Sequence, residues 1–167
     1  MDYGVASTGG SGAFTISSKS NSTHCAEYAL REYWGYKPTL QGLQKSKYSD
    51  KDWKTMLKND LKAGRPIIYS GYGDGGHCFV CDGYNEYEYF HFNWGWGGSH
   101  DGYFKLALMN PGTGGIGSGS ADGYSAGQEV IIGIQPPTDK KVNRYFIPNS
   151  EQYIGNVIYS YFMNPYA

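Results

Sequence analysis

Two strings in this chain hold side chains that could do chemistry together. The first is Gly75-Gly76-His77-Cys78-Phe79-Val80-Cys81-Asp82-Gly83, and the second is Phe92-Asn93-Trp94-Gly95-Trp96-Gly97-Gly98. An imidazole stabilises a neighbouring thiolate and so makes a thiol nucleophilic near neutral pH. The imidazole in turn needs a third group to fix its ring. His77 and Asn93 have the right types for base and orienting group. Trp94 and Trp96 could cover the pair and keep water away. Gly75 and Gly76 leave room for other backbone or a substrate to approach His77.

Other chemistries fit less well. Cys78 and Cys81 form a C-x-x-C, but the Phe79-Val80 between them reads as strand, where side chains three apart point to opposite faces. A zinc knuckle needs a turn there, so no metal or cofactor is expected. Gly95 to Gly98 is followed by neither Lys-Ser/Thr nor a helix, as a phosphate loop would be. The Asp-Gly pairs read as turns and lack EF-hand spacing. His24, His91 and His100 read as ordinary surface or core residues. Three cysteines, an odd number, argue against a disulfide framework.

The elements that must position His77 and Asn93 follow from periodicity and punctuation. Residues 23–34 read as a helix capped by Asn21, Ser22 or Thr23 and stopped by Gly35, with Ala26, Ala29, Leu30 and Tyr33 inward. Ser49 with Asp52 opens a second helix running to about Ala63. Its apolar face is Trp53, Met56, Leu57 and Leu61, and Lys51, Lys54, Lys58 and Asp60 fall on the wet face. Strands are expected at 66–72, 77–82, 86–94, 102–108 and 129–134, joined by Gly-rich hairpin signals. On the second strand His77, Phe79 and Cys81 share a face. On the third, His91 and Asn93 lie opposite Phe90, Phe92 and Trp94. Antiparallel pairing of these two strands brings His77 to the Asn93 end, with the amide in reach of the ring.

Composition bounds the rest. The chain has 167 residues with a formal net charge of -1, which suits one domain with a real core and lacks the footprint of a nucleic-acid binder. No apolar run is long enough to span a membrane. The many glycines and tyrosines suit a strand-and-turn protein.

The quoted strings resemble the streptopain-like family of papain-fold cysteine peptidases. Phe90-His91-Phe92-Asn93-Trp94-Gly95-Trp96-Gly97-Gly98 and Asp101-Gly102-Tyr103-Phe104 are similar to that family's base-bearing half. So are Met1-Asp2-Tyr3-Gly4, Ala29 to Tyr36, Asn110-Pro111 with its Gly-rich loop, and Val130 to Pro136, all in the family's order. The resemblance covers roughly residues 1–136, leaving 137–167 as linker and tail or the start of a further domain. It implies an α+β fold: two helices, then a twisted antiparallel sheet like the strand-rich lobe of the papain fold. It implies His77 as general base, Asn93 and Trp94 as orienting or shielding groups, and Trp96 with Gly75, Gly76, Gly114 and Gly115 along a cleft for a protein or peptide substrate. Secretion or display at the cell surface is implied as well.

The family's nucleophilic Cys lies in a Gly-Cys segment ahead of the Met-Asp-Tyr-Gly block, and none of Cys25, Cys78 and Cys81 matches it. Cys25 falls inside the first helix, Cys78 points away from His77, and Cys81 sits about 13 Å further along the strand. The expectation is therefore a chain that carries the base of a cysteine endopeptidase but lacks the nucleophile, and is inactive alone. The missing N-terminal half would be its partner. The alternative is an inactive homologue serving as a secreted binding module through its Tyr and Trp residues.

Overall fold

A computed structural model of the chain describes residues 14–17, 25–73, 75–112 and 123–137. The Met1-Asp2-Tyr3-Gly4 block, the caps Asn21 to Thr23, His24, Gly114, Gly115 and the tail 138–167 lie outside the described residues.

The first helix, α1 (Ala26–Glu32), is shorter than the sequence predicts, and its N-cap is Cys25. A bridge between Phe14 and Cys25 holds the chain extended up to that point. The N–H groups of Ala26 and Glu27 donate to the carbonyls of Phe14 and Thr15, so helical bonding starts later. Gly35 ends the helix region with φ +63°, as its type suggests. The second helix, α2 (Asp50–Lys62), begins where the Ser49 and Asp52 pair places it. Ser49 Oγ accepts from the Asp52 N–H at 3.1 Å and donates to Asp52 Oδ2 at 2.7 Å.

Six strands form one sheet: β1 (Gln41–Gln44), β2 (Ile67–Tyr72), β3 (Gly76–Tyr84), β4 (Phe90–Asn93), β5 (Gly102–Phe104) and β6 (Ala126–Ile132). The order is β1-β6-β2-β3-β4-β5, and every neighbouring pair is antiparallel. Strand β4 starts at Phe90 rather than at Glu86. Asn85 takes residues 86–89 into a turn, its Oδ1 accepting from the N–H groups of Tyr87 and Tyr89. Strand β5 stops at Phe104, four residues early, and β6 starts three residues before Glu129. Strand β1 is absent from the sequence expectation, because Gln-Gly-Leu-Gln is too short to show alternation.

The two-residue period divides the sheet into two packed faces. On one, Trp53 and Leu57 of α2 meet Ile67, Tyr69, Phe79, Cys81, Phe90, Phe92, Trp94 and Val130. On the other, Ile16, Leu40 and Ile131 pack with Ala26 and Leu30 of α1 and with Ile68. Asp60 corrects the expectation for α2. It is buried, accepting from Arg65 Nε at 2.8 Å and from the Gly133 N–H at 2.7 Å, and so ties the end of the helix to the end of β6.

Candidate active site

His77 stands near the start of β3, with Phe79 and Cys81 behind it on the same buried face. Strand β4 runs antiparallel beside it, with Val80 opposite Asn93 and Cys81 opposite Phe92. This register leads the chain past Asn93 so that the next residue, Trp94, comes level with Phe79. The Trp94 indole is fully buried, 4.5 Å from the Phe79 ring and edge-on to Phe104 at 5.3 Å.

The ring of His77 is fixed by backbone. Its Nε2 lies 2.9 Å from the carbonyl oxygen of Trp94. A carbonyl only accepts, so Nε2 carries the proton and Nδ1 is left as the acceptor. Nδ1 has no hydrogen-bond partner among the described residues. The faces of the imidazole are covered by aromatics. Trp96 stacks on it at 5.2 Å and 20°, and Tyr124 lies at 5.3 Å.

The structure brings His77, Trp94 and Trp96 together but does not bring the Asn93 amide to the ring. Asn93 shares the face of Val80, on the other side of the sheet, and is exposed. Its Oδ1 accepts from the Gly95 N–H at 2.9 Å. The expected reach of the amide fails because consecutive strand residues alternate faces, and it is the following backbone carbonyl that meets the imidazole. Gly76 pairs with Tyr72, and a Cβ there would come within 2.9 Å of the Tyr72 ring, so tight packing explains its type. Gly75 carries no such constraint, and its carbonyl accepts from the Gly73 N–H at 3.0 Å.

Tyr124 was missed by sequence reasoning. It crosses over Gly71, the residue opposite His77, where a Cβ would lie 2.0 Å from the Tyr124 carbonyl oxygen. Gly73 meets Gly123 in the same way, at 1.9 Å. The Gly71-x-Gly73 spacing at the end of a strand was the available signal that another backbone passes close by.

None of the three thiols meets His77. Cys25 is buried at the start of α1, its Sγ accepting from the Tyr28 N–H at 3.3 Å, and burial pushes its pKa up. Cys81 is buried beneath the sheet, and burial raises it further from the thiolate. Cys78 is exposed, opposite Ser70 and on the reverse face from His77. Among the described residues no three His, Cys, Asp or Glu side chains gather as a metal site. No helix among them is long and apolar enough to cross a membrane.

A twisted antiparallel sheet that holds a histidine at its end under a tryptophan pair, with helices packed on both faces, is the strand-rich lobe of a papain-like cysteine peptidase. The chain belongs to the Peptidase C10 family, whose model matches residues 2–104. It is 46% identical over 132 residues to the thiol protease/hemagglutinin PrtT of Porphyromonas gingivalis, covering 78% of this chain and 14% of that protein. It is 36% identical over 137 residues to streptopain of Streptococcus pyogenes, covering 81% of this chain and 31% of streptopain. Active interpain A cysteine protease of Prevotella intermedia superposes with a TM-score of 0.54 at 33% identity, over 63% of this chain and 42% of that one. A prointerpain A fragment from the same organism gives 0.57 at 34% identity, over 78% and 36%. The chain thus spans less than half the length of each of these relatives.

Proposed function

We propose that this chain supplies the general base and one wall of the substrate cleft of a cysteine endopeptidase, and that the nucleophilic thiol comes from a segment outside it. The observation that carries the reading is the bond from His77 Nε2 to the Trp94 carbonyl, with Nδ1 left over. A ring held in that tautomer can take the proton of a thiol presented to Nδ1, giving a thiolate–imidazolium pair. Nδ1–H can then protonate the leaving amine, as acid and base exchange roles. Trp96 and Tyr124 screen the ring from water and limit its rotation. Asn93 serves through the turn that follows it, and Gly75, around which there is open space, leaves the approach to the start of β3 clear. The substrate is a protein or peptide, in keeping with the thiol-protease relative, and the complete enzyme is secreted or displayed at the cell surface.

The absence of any thiol at Nδ1 supports an external nucleophile, and the chain's short span of its relatives fits an N-terminal half that supplies it. On this reading residues 1–136 are the peptidase part, and 137–167 a linker and tail or the start of a further domain.

The test is a His77→Ala variant of the longest protein encoded with this chain, assayed on casein with and without a thiol alkylating agent. General-base loss should lower kcat/KM by roughly 10²–10⁴-fold. Alkylation should abolish the wild-type activity. Casein hydrolysis that survives both treatments would sink the proposal.

A further inference from the structure

The peptide that orients His77 is itself held from two sides. Trp94 and Gly95 share one peptide unit. Its carbonyl oxygen faces His77 Nε2 at 2.9 Å, while its N–H donates to Asn93 Oδ1 at 2.9 Å. The N–H on the other side of Trp94 donates to Asp101 Oδ1, also at 2.9 Å. The indole is pinned by the same segment, its Nε1–H donating to the His100 carbonyl at 2.9 Å. Asp101 comes back to Trp94 because residues 95–100 coil tightly, with positive φ at Gly95, Gly97, Gly98 and His100. A non-glycine residue at φ +65° is uncommon, and such conformations persist only where surrounding contacts over-determine them. Here those contacts are the Trp94 bond to the His100 carbonyl and the Ser99 Oγ to His100 Nδ1 contact at 2.6 Å.

We infer that Asp101 is a positioning residue for His77, acting with Asn93 as a two-sided clamp on the Trp94 backbone that aims the Trp94 carbonyl at the imidazole. Asp101 fixes the N–H that precedes the carbonyl along the chain, and Asn93 fixes the N–H of the carbonyl's own peptide. The planar peptide between two anchored amides has little freedom to turn away. Asn93 adds a second effect. An acceptor on a peptide N–H polarises that peptide and makes its carbonyl a better acceptor for the imidazole N–H. Neither side chain touches the ring. An Asn beside a catalytic His therefore contributes here through one intervening peptide bond.

The inference takes its functional meaning from the reading of His77 as the base, but its test does not depend on that reading. The readout is the tautomer of His77 in the folded chain, by two-bond ¹H–¹⁵N correlation of the neutral ring. Wild type should be predominantly the Nε2–H tautomer. Asp101→Ala should lower the Nε2–H to Nδ1–H ratio by roughly fivefold, the size of one weakened neutral hydrogen bond. Asn93→Ala should act in the same direction. Asp101→Asn, which keeps an acceptor oxygen, should restore most of the ratio and guards against a failure of Asp101→Ala to fold. A wild-type ratio in folded Asp101→Ala and Asn93→Ala would overturn the clamp. So would a ring already mixed in the wild type. Peptidase assays bear only on the role of His77, so a correct clamp on a non-catalytic histidine would show as altered tautomers with no activity to lose.

Discussion

Gly71 shows how much of the candidate site depends on an atom that is missing. It pairs with His77 across β2 and β3, and Tyr124 passes over it. A methyl group on Gly71 would sit 2.0 Å from the Tyr124 carbonyl oxygen, a backbone atom that cannot rotate aside. Gly71→Ala should therefore cost about 1–3 kcal/mol, the usual range for overpacking a tight site. It should also push the Tyr124 ring off His77. Urea unfolding checks the first effect, and the ring-current shifts of the His77 protons check the second. An Ala variant with wild-type stability and unchanged shifts would mean that the loop gives way freely. Glycine at this place was readable as a close approach, but not what approached. Tyr124 is 53 residues downstream by the numbering, and no local pattern links the two. The same limit applied to Asn93. Its type and neighbourhood were legible, while the atom that meets the ring belongs to a backbone carbonyl, which every residue has.

At the scale of the elements, helix α1 is fastened by one carboxylate. Glu27 is buried and accepts from the Ser17 N–H at 2.8 Å, Ser17 Oγ at 2.9 Å, the Gly42 N–H at 2.9 Å and Arg31 at 2.8 Å. One side chain thereby joins α1, the segment 14–17 and strand β1. Burial alone would raise its pKa, but the backbone bonds from Ser17 and Gly42, with the Ser17 hydroxyl and Arg31, hold it below the ordinary glutamate value. The sign of the linkage follows. A depressed folded-state pKa contributes stability that is present above the unfolded value, about 4.3, and is lost as pH falls through the folded one. Glu27→Gln should lose about 2 kcal/mol or more at neutral pH, since it removes bonds to a charged acceptor. Its stability should also fall less steeply than that of the wild type below about pH 4.3. Parallel urea titrations at pH 3, 4, 5 and 7 measure both, and matching slopes would refute the assignment. The α2 helix and the main strands were plain in the sequence, because caps and periodicity are local. Strand β1, the cap at Cys25 and the burial of Asp60 were not. Each is decided by a partner from elsewhere in the chain: β6 for β1, Phe14 for Cys25, and Arg65 with Gly133 for Asp60.

For the molecule as a whole, the proposal that this chain supplies a base and another segment the nucleophile can be tested on surfaces as well as on activity. The chain spans 31% of streptopain and 42% of the interpain A chain, so a proposed complete enzyme has more protein to pack against this lobe. Phe14, Tyr33 and Trp34 are exposed near α1, and Tyr72 is exposed beside Gly76 at the His77 end of the sheet. Single exposed aromatics are ordinary, and several on one lobe give a hydrophobic dye surface to bind. The isolated chain should accordingly enhance the fluorescence of a hydrophobic dye such as anilinonaphthalene sulfonate and show no casein hydrolysis. Adding the nucleophile-bearing half as a separate chain should quench the dye signal and bring activity up together, because its docking covers apolar surface of this lobe and delivers a thiol to Nδ1 of His77. With His77→Ala the dye should still be quenched while activity stays absent, which separates docking from chemistry. A monodisperse chain that binds no dye and ignores the other half would instead mark this lobe as a self-sufficient module. Its histidine would then be oriented with no thiol to serve.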